Sequence, residues 1–100
     1  MGKLVRDNIP KMIKASGRKP LAHIADIEEY GEALKQKIRE EIREFLENEN
    51  KEEMADVFEI LYAMCDFKEF DLKEIESIRK YKAQKRGKFK DKIILDGVND

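Results

Sequence analysis

Five carboxylates in two short runs carry the chemistry this chain offers: Glu40, Glu41 and Glu44, then Glu53 and Asp56. Acids three residues apart share one face of a helix. Glu41 with Glu44, and Glu53 with Asp56, would therefore each point toward a common spot. Two helices side by side would gather these four groups into a small volume, where they cannot all stay ionised without a cation among them. All-oxygen donors select a hard cation: Mg²⁺ first, with Mn²⁺ as a substitute and Ca²⁺ also compatible. Zinc is disfavoured, because the single histidine, His23, and the single cysteine, Cys65, are unconnected to the cluster. A cation so held keeps positions for water and phosphate oxygens. Its bound water has a lowered pKa and can attack phosphorus while a spare carboxylate takes the proton.

The elements that position these acids follow from apolar spacing. Ile27, Tyr30, Leu34, Ile38, Ile42 and Phe45 recur at three- and four-residue steps, which predicts a helix capped by Asp26 and running to about Glu47. At about 100° per residue, Glu41 falls roughly 60° from that stripe, Glu44 lies further round on the same side, and Glu40 points nearly opposite. Gly31 is a local weakness in this helix. Asn48-Glu49-Asn50 breaks the pattern, and Asn50 caps the next helix with Glu53 at its third position. Met54, Val57, Phe58, Leu61, Met64 and Cys65, widened by Ile60 and Tyr62, give this third helix a broad apolar face running to about Glu69. Such a face predicts packing on more than one side, or against another subunit. Glu53 borders the face and Asp56 lies just beyond it. A first short helix starts at Asp7 or Asn8, takes Pro10 in its opening turn and stops at Ser16-Gly17. A fourth starts at Asp71, with Glu74 as its capping partner, turns Leu72, Ile75 and Ile78 inward and ends near Gly87. Ile93-Ile94-Leu95 reads as an extended tail that docks. The expectation is one all-α domain over residues 1–100, a four-helix bundle with short extended terminal segments.

Charge is segregated behind a net value of −1. Residues 1–20 hold six Lys/Arg against one Asp, residues 26–59 thirteen acids against five bases, and residues 79–92 eight bases against one acid. Basic ends around an acidic middle suit a phosphate-rich ligand bridged to the acids by metal, although surface ion pairing would use the same charges. The acidic middle argues against nucleic acid laid across the surface. No stretch of about 18 apolar residues exists to span a membrane, and the first residues lack the apolar core of a secretory leader. A lone cysteine forms no internal disulfide and fits a reducing compartment, the cytoplasm.

The run Glu40-Glu41-x-x-Glu44 followed by Glu53-x-x-Asp56 resembles the signature of the all-α nucleoside triphosphate pyrophosphohydrolases, the MazG-like and phosphoribosyl-ATP pyrophosphohydrolase-like proteins. Two further blocks resemble the short single-domain branch of that family, Lys3-Leu4-Val5-Arg6-Asp7-Asn8-Ile9-Pro10 and Lys82-x-x-x-Arg86-Gly87-x-Phe89. The resemblance implies cleavage between the α and β phosphates of a nucleotide with Mg²⁺ or Mn²⁺, giving a monophosphate and pyrophosphate, a house-cleaning type of activity. It implies Glu41, Glu44, Glu53 and Asp56 as metal ligands and Glu40 as a neighbouring acid that places the water. Lys3, Arg6, Lys82 and Arg86 would be phosphate contacts, and a homodimer or higher homo-oligomer the assembly. In one respect the chain departs from the pattern. Eight residues, 45–52, separate the two acidic motifs, where the family usually has a dozen or more.

Other readings of the same residues are a helical interaction module without catalysis and a nucleotide sensor that binds without turnover. His23 reads as a loop residue and Cys65 as packing.

Overall fold

The computed structural model describes residues 2–99. Among these the chain is all-α, with four helices and no strand: α1 (Ile9–Ala15), α2 (Ile27–Glu47), α3 (Lys51–Phe67) and α4 (Leu72–Arg86). It forms two compact units, Met1–Lys68 and Glu69–Asp100.

The first unit is built on α2 and α3. Each starts where a side chain can take up a free backbone N–H. Asp26 Oδ1 accepts from the Glu29 amide at 2.8 Å, and Asn50 Oδ1 from the Glu53 amide at 2.9 Å. The Glu29 carboxylate does not close a reciprocal box; it pairs with His23 Nε2 at 2.8 Å. Between the helices lies a turn of three residues, Asn48 to Asn50, so α3 folds back along α2. At the far end of the pair Tyr30 meets Phe67 edge to face, with ring centroids 5.3 Å apart. Gly31 belongs to the same contact. A Cβ there would sit 3.2 Å from Phe67 Cζ, so the missing side chain admits the ring. α3 ends at Phe67, two residues before the expected Glu69, and Glu69 itself turns into the left-handed region at φ 57°. α1 is capped only by position, since the Asn8 side chain makes no capping bond. It stops at Gly17, whose φ of 87° is the left-handed turn expected there.

The core of this pair is small: Leu34 is fully buried and Ile60 nearly so. Its line on α2 differs from the predicted stripe. Ile27 is 78% and Ile42 43% exposed, whereas Glu41 is buried. The inward line runs Tyr30, Leu34, Lys37, Ile38, Glu41 and Phe45. Glu41 follows Leu34 by seven positions, almost two full turns, so the acid stands nearly on the leucine's own line. On α3, Ile60 faces the core, while Met54, Phe58, Leu61 and Tyr62 lie on an exposed apolar face.

The second unit holds α4. Asp71 caps it through the Lys73 amide at 2.9 Å, one residue short of the expected Glu74 position, and Gly87 ends it at φ 84°. Leu72, Ile75 and Ile78 are exposed rather than turned inward, and Ile93, Ile94 and Leu95 are exposed rather than docked. Among its described residues the unit contains a single helix, so no second helix there covers an apolar face.

Candidate metal centre

The α2–α3 turn brings the two acidic motifs together. The eight residues between them are spent as the last turn of α2, the Asn48–Asn50 turn and the first two residues of α3. The short spacer therefore leaves no loop over the acids but still gathers them. Glu41, Glu53 and Asp56 each offer a carboxylate oxygen within 4.8 Å of the other two, and so do Glu40, Glu41 and Glu44. Glu41 belongs to both trios. Glu40 does not point away, as the helical wheel predicts. It is partly buried, because the segment preceding α1 reaches this side of α2 and Lys3 Nζ stands 3.6 Å from Glu40 Oε1.

Two oxygens of the cluster are buried with no hydrogen-bond partner, Glu41 Oε2 and Glu53 Oε2. The Glu41 side chain is only 9% exposed. A buried carboxylate oxygen without a donor is costly, and here two belong to the same trio. Hard cations take such oxygens, so the donor set fits Mg²⁺ or Mn²⁺.

Three side-chain cations already touch the acids. Arg6 Nη2 donates to Asp56 Oδ1 at 2.7 Å, and Lys3 pairs with Glu40. Lys37 Nζ lies 3.5 Å from Glu40 Oε1 and 3.2 Å from Glu41 Oε1, with its side chain 19% exposed. Lys37 is the charged neighbour of the acids that apolar spacing passes over. Its signal was present: three residues before Glu40 and four before Glu41, it sits at a core-facing step after Leu34. Burial lowers the Lys37 pKa, but its hydrogen bond to Glu41 and the charges of Glu40 and Glu41 outweigh that and raise it above the ordinary lysine value. The amine is therefore charged at neutral pH.

The Glu44 carboxyl is pushed up, first by the charge of Glu41, then by burial and by Glu40 and Glu53. A carboxyl whose folded pKa is raised is penalised when ionised, so the penalty is complete above that pKa and absent below the unfolded value. Glu44→Gln should accordingly raise the melting temperature of the metal-free protein at pH 7, with the gain shrinking as pH falls through the carboxylate range. Melts of both proteins at pH 7 and pH 4 check this.

Beside the acids, under the N-terminal segment, is a cavity of about 540 Å³. Leu4, Ile9, Tyr30 and Ile60 supply its apolar wall, and Arg6, Lys37, Glu41 and Asp56 its charged end. Its volume lies in the range of small-molecule sites. Lys82 and Arg86 are on α4, in the second unit, where they line a groove with Tyr81 and Lys85. Cys65 is half-buried and unpaired by disulfide. No helix among the described residues is long and apolar enough to cross a membrane.

No family model matches the chain, and no solved structure does. A stretch of 44 residues is 48% identical to part of an uncharacterized protein of Mycolicibacterium smegmatis, covering 44% of this chain and 45% of that protein. The chain thus matches under half the length of that relative.

Proposed function

We propose that this chain is a metal-dependent nucleotide pyrophosphohydrolase of the MazG-like type, working on a nucleoside triphosphate or related nucleotide. The observation that carries the reading is the pair of orphaned, buried oxygens, Glu41 Oε2 and Glu53 Oε2, inside a cluster of five acids. The three sequence blocks described above supply the reaction class by resemblance. Glu41, Glu53 and Asp56 hold Mg²⁺, or Mn²⁺ in its place, with Glu44 beside them. When bound, the metal neutralises the phosphate chain and activates water. Water attacks the α phosphorus, the bond from that phosphorus to the bridging oxygen breaks, and pyrophosphate leaves. Glu44, made more basic than an ordinary carboxylate by its neighbours, accepts the water's proton, and Glu40 helps orient it. Arg6 moves from Asp56 to a phosphate oxygen, which it can clamp in a bidentate fork. Lys3, paired with Glu40 in the same unit, is a further phosphate contact. The cavity beside Tyr30 and Ile60 takes the rest of the nucleotide. The exposed face of Met54, Phe58, Leu61 and Tyr62 supports assembly with a second copy, and the lone thiol a cytoplasmic setting.

The test is product analysis across nucleoside triphosphates with Mg²⁺ and then Mn²⁺. Equal amounts of monophosphate and pyrophosphate are expected. Metal-dependent nucleotide binding without product would mean a sensor, and no binding at all an interaction module.

A further inference from the structure

The two acid trios are not equivalent, and the difference lies in Lys37. The Glu40–Glu41–Glu44 trio has a lysine ammonium set against two of its members, Glu40 and Glu41. Lys3 adds a second positive charge on Glu40. The Glu41–Glu53–Asp56 trio meets Lys37 only through the shared Glu41 and Arg6 only at Asp56 Oδ1, has no side-chain cation on Glu53 among the described residues, and contains both orphaned oxygens. Five carboxylates face three side-chain cations, which leaves two negative charges, the charge of one divalent ion.

We propose that the site takes a single divalent cation, between Glu41, Glu53 and Asp56, and that the buried ammonium of Lys37 occupies the place a second cation would need beside Glu40 and Glu41. The proposal rests on the metal-site reading above and adds its stoichiometry and location. Lys37 is a positioning residue. It holds Glu41 Oε1 by charge and leaves Oε2 free for the metal, so the acid shared by both trios is oriented toward one of them. A mobile surface lysine would not do this. Lys37 is four-fifths buried, and its stem lies on the inward line between Leu34 and Glu41. Its tethered single charge costs no ion binding and does not dissociate as free Mg²⁺ falls.

Counting bound Mn²⁺ by electron paramagnetic resonance, from the loss of the free-ion signal on titration, tests this without any substrate. Wild-type protein should bind one Mn²⁺ per chain. Lys37→Met removes the charge at nearly constant length and should bind two. Lys37→Gln, polar and similar in reach, should also bind two and serves if the methionine variant does not fold, as checked by circular dichroism. Two ions on wild-type protein, or one on either folded variant, overturns the role of Lys37 while the metal site itself stands. No bound Mn²⁺ on wild-type protein overturns both.

Discussion

Replacing Leu34 with alanine is expected to cost the helix pair about 2–5 kcal/mol, the range for emptying a fully buried leucine site. Leu34 is 0% exposed and is the one fully buried side chain among the described residues. Small domains have only about 5–15 kcal/mol in total, so the variant should lose much of its folded population in mild urea. Ile42→Ala is the matched control. Sequence periodicity puts both residues on one stripe, but Ile42 is 43% exposed and its loss should cost under about 1 kcal/mol. Urea titrations of the two variants give the comparison directly, through the shift in midpoint at constant slope. Equal midpoints would mean that the core does not run along the Leu34–Glu41 line.

Glu41→Gln should abolish metal-dependent behaviour. The substitution keeps shape and removes the charge of the one acid common to both trios. Loss of groups that merely support a ligand costs about 10–100-fold in metal affinity, so losing a ligand's own charge should cost more. Mn²⁺ should no longer raise the melting temperature, and pyrophosphate release should fall to background. Glu52→Gln, a change in an exposed acid of the same region outside both trios, should leave both readouts at the wild-type level. Persistence of the metal effect in Glu41→Gln would move the site away from the buried acid.

What the sequence revealed and what it concealed divide along physical lines. Starts and stops of the helices were legible wherever a short polar side chain or a glycine sets them, as at Asp26, Asn50, Gly17 and Gly87. The all-α, four-helix architecture followed from those signals and from apolar spacing. The pairing of the two acidic motifs was legible too, because a three-residue turn leaves α3 little choice but to return along α2. The exact inward line was not. Ranking positions by apolar character selects Ile27 and Ile42 and passes over Lys37 and Glu41, which neutralise each other and so can be buried together. Burial of a charge depends on a partner found in three dimensions. The same holds for Glu40, drawn in by Lys3 from a segment 37 residues earlier in the chain. α4 shows the converse limit: Leu72, Ile75 and Ile78 have helical spacing but are exposed, because periodicity describes a face and not what covers it.

The most direct measurement is the melting temperature of wild-type protein titrated with Mn²⁺ against a chelator control. A cation held only by the folded chain stabilises it by about 2.7 kcal/mol at one hundred times its dissociation constant. For a domain of this size that is a rise of about 10 °C or more. A rise that climbs with the logarithm of Mn²⁺ concentration is the predicted result. Identical melting curves in Mn²⁺ and in chelator would contradict the claim that Glu41, Glu53 and Asp56 form a metal site.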